Sequence, residues 1–186
     1  MSTPEVRTAT TADTAEITRI QRDTWRTAYA DLVGTQALGN LDSDEIEQHW
    51  ADAIDHPDST VLVAVEGTSS VGFCVAGQAP ATESAAADGS APDDAATVGL
   101  VSTILVEPRW GRRGHGGRLL ATAARELRSR GVTRGIAWVA ESDSATLSFF
   151  RKADWQPDGT VRTLDTGSGT LREIRLTGGL DLHLTE

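Results

Sequence analysis

The chain has 186 residues, 39% hydrophobic and 24% charged, which suits one globular domain over 1–186 with a core that needs no staples. Its 27 Asp and Glu against 17 Lys and Arg give a formal charge of −10, and this argues against a general nucleic-acid binder, whose affinity rests on basic groups neutralising phosphates. A single cysteine, Cys74, excludes an internal disulfide framework and a zinc finger. No apolar run approaches the ~20 residues of a membrane span, and the polar start is no signal peptide, so a cytoplasmic protein with no membrane partner is expected.

Val6 to Ala9 opens as a short strand. Asp13 can cap a helix, with Glu16 reaching back, and Ile17, Ile20, Thr24, Trp25 and Ala28 repeat at helical spacing to about Tyr29. Ser43 starts a second helix carrying Ile46, Trp50 and Ile54, and His56-Pro57-Asp58 ends it. Thr60–Val65 and Val71–Ala76 read as a hairpin. Residues 79–96 are Ala, Ser, Asp, Gly and Pro without period or aromatic, the composition of a mobile loop. Val98–Val106 is almost continuously apolar, as a strand covered on both faces should be. A third helix follows Gly114, with Leu119, Leu120, Ala123, Ala124 and Leu127 at core spacing and Gly131 as its stop. Gly135–Ala140 is a strand, Ser142 or Asp143 caps a last helix through Phe149 and Phe150, and Thr160–Leu164 pairs with Leu171–Leu176. The order β-α-α-β-β-β-α-β-α-β-β implies an α/β (α+β) fold. Its central sheet is mixed and mostly antiparallel, with about 6–7 strands flanked by about 4 helices.

Charge is unevenly spread. Residues 1–100 hold four Arg against seventeen acids, whereas within 107–134 eight Arg (109, 112, 113, 118, 125, 128, 130, 134) face only Glu107 and Glu126. Such a stretch suits either an anionic ligand held in one place or a solvated Arg-rich helix face. It is centred on a turn with four glycines in the seven residues Gly111 to Gly117, set between a buried strand and a helix. Glycines admit positive φ and close backbone approach, and the new helix offers N–H groups and a dipole to an anion. A nucleotide-triphosphate loop fails, because Gly117-Arg118 stands where Lys-Ser/Thr is needed. A dinucleotide loop fails at Leu119, where its third glycine belongs.

The segment resembles the acetyl-CoA diphosphate loop of the GNAT superfamily of acyl-CoA N-acyltransferases at Val106, Pro108, Gly114, Gly116, Leu119 and Leu120. Gly111 replaces that family's usual Gln or Arg. Trp25 and Tyr29 resemble a W-x-x-x-Y found in some members. Ser142, Ala145, Phe149, Phe150, Lys152, Asp154 and Trp155 resemble the closing motif, with Ser142 for its Asn, Phe150 for its Tyr and Asp154 for its Gly.

The resemblance implies acetyl-CoA as co-substrate, no metal, and direct attack by a primary amine of a small molecule or peptide. The backbone at Ile104, Leu105 and Val106 would meet the pantetheine arm, while the side chains of Ile104 and Val106 pack. Arg112, Arg113, Gly114, His115, Gly116 and Gly117 would hold the diphosphate, with Ser142 and Phe150 also on the cofactor side. Trp25 and Tyr29 would line the acceptor site, although core packing explains Tyr29 equally well. Phe150 cannot supply the family's usual proton. Glu141 is the carboxylate placed to act as base, and its other reading is helix N-terminal electrostatics. His49, His56 and His183 share no ligand spacing, and Cys74 reads as inert core. The acidic first hundred residues suit a cationic acceptor or simple solubility. A homodimer is compatible with the resemblance. The alternatives are a non-catalytic acyl-CoA-binding member and, more remotely, a nucleic-acid module working through 107–134.

Overall fold

A computed structural model describes residues 2–182. Its seven strands are β1 (Pro4–Thr8), β2 (Ser59–Glu66), β3 (Ser69–Gln78), β4 (Val98–Val106), β5 (Arg134–Ala140), β6 (Gln156–Asp165) and β7 (Thr170–Gly179). They form one sheet in the order β1-β2-β3-β4-β5-β7-β6, in which only the β4–β5 pair is parallel. The helices are α1 (Thr14–Ala28), α2 (Ala30–Asn40), α3 (Glu45–Asp55), the single turn α4 (Ala81–Ser84), α5 (His115–Ser129) and α6 (Ser144–Lys152). The mixed, mostly antiparallel sheet expected from the element order is therefore present, with α2 and α4 added to the helices.

Side-chain alternation divides the core in two. On β2, Leu62 and Ala64 face α5 and α6, joining Leu119, Leu120, Ala123, Leu127, Phe150 and Trp155. Val61 and Val63 face the other way, against Ile17, Ile20 and Trp50 of α1 and α3. Burial on both faces explains why these strands read as unbroken apolar runs.

Three local expectations change. Asp13 does stand at the N-cap position of α1, but its side chain makes no capping hydrogen bond to that helix, and Thr10 leads a 3-10 turn over Thr11–Asp13 ahead of it. The Asp13 carboxylate instead accepts the Thr10 N–H and both ends of the Arg7 guanidinium, each at 2.8 Å. Those partners, Arg7 foremost, hold its pKa below the ordinary carboxylate value despite burial. Glu16 pairs with Arg19 at 2.8 Å and does not reach back.

α2 is the second change. It has no buried side chain and breaks at Gly34 (φ 77°), so it shows no period to read. It leans on the turn between β6 and β7: Gly34 faces Ser168, and Gly167, at φ 80°, faces the Gln36 side chain.

The third is residues 79–96, which carry α4 and a 3-10 turn over Ala95–Thr97. They lie on the face of β5 and β7 opposite α5 and α6. Buried Arg175 donates to the carbonyls of Glu83 and Ala85 at 2.9 and 2.7 Å, Arg162 pairs with Glu83 at 2.9 Å, and Arg134 with Asp94 at 2.6 Å. Arginines from the sheet thus contact this polar, alanine-rich segment, whose buried residues are Ala79 and Ser84.

Candidate active site

The site begins where two parallel strands part. β4 and β5 pair only from Val98 to Leu100 and from Arg134 to Ile136. Opposite the Val75–Ala76 step, the β3–β4 register skips Ser102, a bulge that bends β4. Beyond it, β4 runs on to Val106 and β5 to Ala140 without pairing with each other. One edge of β4 therefore presents free N–H and C=O groups to the split, an edge to which an extended amide chain can add as another strand. Ile104 and Val106 pack toward α5 and α6, and Leu105 packs toward α1 and α3, so their side chains serve the core while the backbone stays open.

The glycine-rich turn stands at the far end of β4. Pro108–Trp110 forms a 3-10 turn, Arg112 adopts φ 62°, and Gly114, at φ 79°, caps α5. The left-handed region is costly for a residue with a Cβ, and Gly114 has the further reason that a Cβ there would lie 3.0 Å from the Arg118 guanidinium. The Arg118 side chain donates to the Arg113 carbonyl at 2.8 Å, and its backbone N–H donates to Gly114 O at 3.0 Å, folding the loop onto the helix. The first-turn N–H groups at His115, Gly116 and Gly117 have no acceptor within α5 and point along its dipole. Gly116 also lets Phe149 of α6 pack against this turn, at 3.1 Å from where a Cβ would be.

The side chains here are less cationic than their number suggests. Arg113 pairs with Glu66 at 3.1 Å and stacks over Trp110 at 4.9 Å, and Arg109 pairs with Glu107 at 2.9 Å. Arg128 and Arg134 pair with Asp181 and Asp94. Arg112 is exposed. The His115 ring turns inward and is 1% exposed: its Nε2 meets Glu66 at 2.8 Å, its Nδ1 has no hydrogen-bond partner, and Trp110 sits edge-on. Only its backbone N–H faces the turn.

On the other side of the split, the end of β5 and the start of α6 face the junction of α1 and α2. Asp143 caps α6, taking the Thr146 N–H at 3.1 Å and the Thr146 hydroxyl at 2.6 Å. Tyr29, which ends α1, places its hydroxyl 3.2 Å from Thr146 Oγ1. Burial pushes the Tyr29 phenol up, so it keeps its proton. Trp25, one turn earlier, packs with the α1–α3 core. A cavity of about 240 Å³ adjoins this junction, lined by Asp31, Leu32, Glu141, Ser142, Thr170, Leu171 and Arg172. Glu141 is 56% exposed and pairs with Arg172 at 3.2 Å. Phe150 is buried between Phe149 and Trp155, with ring centroids 5.2 Å from each. Burial pushes the Cys74 thiol up to about 12, in line with inert core. Asp154, where the closing motif has Gly, adopts φ 62°, the conformation for which glycine is best suited.

Sequence reasoning singled out Tyr29 and Glu141 here and set Ser142 on the cofactor side; it did not single out Asp31, Thr146 and Arg172, which only the fold brings beside them. The Asp143-x-x-Thr146 spacing was the one local signal, typical of a helix start. Among the described residues no three His, Cys, Asp or Glu side chains gather to hold a metal, and His183 lies outside those residues. No described helix is long and apolar enough to cross a membrane.

A seven-stranded sheet opened between two parallel strands, with a glycine-capped helix start at one mouth of the opening, defines a class: mixed α/β folds in which a free strand edge leads to a helix N-terminus. The chain belongs to the acetyltransferase (GNAT) family, whose model matches residues 15–155. It is 29% identical over 145 residues to the N-acetyltransferase YuaI of Bacillus subtilis strain 168, covering 77% of this chain and 76% of that one. Its fold is that of the PaiA N-acetyltransferase of Thermoplasma acidophilum in complex with coenzyme A. That structure has a TM-score of 0.70 and 16% identity, over 92% of this chain and 98% of that one. It is also that of YncA from Salmonella typhimurium with acetyl-CoA, with a TM-score of 0.68 and 19% identity over 100% and 98%. The ribosomal-protein-alanine N-acetyltransferase of Brucella melitensis matches with a TM-score of 0.71 and 20% identity over 94% and 98%.

Proposed function

We propose that this protein is an N-acetyltransferase that passes an acetyl group from acetyl-CoA to a primary amine of a small molecule or peptide, with both substrates bound together. The observation that carries the reading is the unpaired β4 edge running into the glycine-capped start of α5. This donor set fits a diphosphate joined to an extended amide arm: backbone N–H groups at His115, Gly116 and Gly117, the exposed Arg112, and the free edge from Ser102 to Val106. The co-substrate supplies an activated thioester, and the protein's share is to hold amine and thioester in line. Fixing two reactants in register is worth up to about 7–11 kcal/mol of barrier. A β4 backbone N–H facing the thioester oxygen would stabilise the charge that grows there.

The acceptor enters from the Asp31–Glu141 cavity. Two carboxylates in its wall suit a cationic acceptor, with Arg172 restraining Glu141. Acetyl-CoA with a pooled amine library, read by free thiol and product mass, tests both points. Amine-dependent thiol release with cationic amines foremost is expected, and best turnover of an anionic amino acid would contradict the acceptor assignment. A second reading, acyl-CoA binding without transfer, has Phe150 in its favour, since that buried ring has no proton to give. Saturable acetyl-CoA binding without thiol release from any amine would select it.

A further inference from the structure

We propose that Tyr29 is a catalytic residue of this reaction, taking a proton from the attacking amine as it passes its own through Thr146 to Asp143. The inference rests on the acyltransferase reading and deepens it. Three side chains from two distant segments make an unbroken chain: Tyr29 Oη lies 3.2 Å from Thr146 Oγ1, and Thr146 Oγ1 lies 2.6 Å from Asp143 Oδ2.

The direction of the chain follows from its donors. A carboxylate only accepts, so the one hydroxyl proton of Thr146 points to Asp143. Thr146 then has only lone pairs for Tyr29, and Tyr29 must be the donor in that bond. The phenol oxygen is left with its own lone pairs free, suited to receive an N–H. Asp143 is fixed for its part by also accepting the Thr146 backbone N–H at 3.1 Å.

Position supports the same role. α1 packs on β3 and β4, and α6 follows β5. β4 and β5 separate after Leu100 and Ile136, so a bond from Tyr29 to Thr146 crosses the split. The acceptor cavity is walled by Asp31 and Leu32, just after Tyr29, and by Glu141 and Ser142, just before Asp143. Other groups are committed or out of reach. Glu141 is held by Arg172, Ser102 Oγ donates to the Val75 carbonyl at 3.3 Å, His115 is buried against Glu66, and Phe150 has no ionisable group.

The step balances. The amine lone pair forms the N–C bond to the acetyl carbon, which turns the nitrogen from basic to acidic. One N–H proton moves to Tyr29 Oη, the Tyr29 proton to Thr146 Oγ1, and the Thr146 proton to Asp143 Oδ2. The C–S bond breaks with its electron pair on sulfur, and the thiolate takes a proton from water. Asp143, partly exposed, returns its own proton to water.

The test uses the full chain with acetyl-CoA and a series of primary amines of falling basicity, reading kcat, KM and acetyl-CoA affinity. Tyr29→Phe is expected to lower kcat about 100-fold, the usual share of a positioned proton-transfer group, with acetyl-CoA affinity unchanged. Thr146→Val should lower kcat in the same direction, and Thr146→Ser, which keeps the hydroxyl, should restore it. Asp143→Asn keeps a competent cap but not the charge, and should lower kcat without loss of folding. The Tyr29→Phe defect should shrink as the amine becomes less basic, which a packing role would not produce. A Tyr29→Phe enzyme within twofold of an active wild type, or a loss equal for every amine, overturns the relay alone. A wild type releasing no thiol with any amine overturns the acyltransferase reading and the relay with it.

Discussion

The two mouths of the β4–β5 split are built from different materials. The proposed cofactor side is mostly backbone: a free strand edge, a left-handed Gly114, and three N–H groups at the start of one helix, all within residues 102–117. The proposed acceptor side is mostly side chains: Asp31, Glu141 and Arg172 in the cavity wall and the Tyr29–Thr146 pair beside it, which only the completed sheet brings together. A site made of backbone can accept many neighbouring side chains unchanged, whereas one made of side chains from three segments is altered by each.

The comparison can be broken by substitution at either mouth, and the largest effect is expected at the cofactor side. Gly114→Val forces a branched side chain into the left-handed region, at about 1–2 kcal/mol of strain. Its Cβ also meets the Arg118 guanidinium at 3.0 Å. Acetyl-CoA affinity, measured calorimetrically, should fall at least about tenfold, since each ~1.4 kcal/mol is a factor of ten. The acceptor KM should stay within about twofold, as expected when two sites share no side chain. Gly167→Val is the converse. It strains the β6–β7 turn where it meets Gln36 of α2, so the acceptor KM should rise several-fold, toward the ~tenfold that 1–2 kcal/mol allows, with acetyl-CoA affinity unchanged.

Two smaller effects sharpen the contrast by showing what lies outside both mouths. Arg7 and the Thr10 N–H depress the folded-state pKa of Asp13. Its stabilisation is therefore complete above the unfolded value near pH 4 and is lost as pH falls through the lower folded value. Urea midpoints between pH 5 and pH 2 should fall less steeply in Asp13→Asn than in the wild type, with activity at pH 7 retained. Asp154→Gly relieves a left-handed aspartate after α6 and should add about 1 kcal/mol, some 2–4 °C in Tm for a domain of this length, by calorimetry.

What could be read in advance divides along the same line. β2, β3 and β4 announce themselves by unbroken apolar runs, and α5 by leucines at core spacing, because burial leaves a local pattern. α2 leaves none, for its residues are unburied and two of its eleven are glycines. The eight arginines of 107–134 counted as a basic patch, yet four of them are neutralised by Glu66, Asp94, Glu107 and Asp181, whose proximity depends on tertiary structure. His115 stood inside the loop motif as a candidate phosphate donor, but its ring turns to Glu66 on the end of β2. The partner of Tyr29 lies 117 residues away, beyond any local spacing rule.

The most direct test of the account is amide hydrogen exchange on the wild-type chain with and without acetyl-CoA. Protection confined to the free edge of β4, from Ser102 to Val106, and to the first turn of α5, from Gly114 to Gly117, is the result expected. Protection centred elsewhere, on the 79–96 segment or the outer strands, with these amides unchanged, would contradict the assignment of the split as the cofactor site.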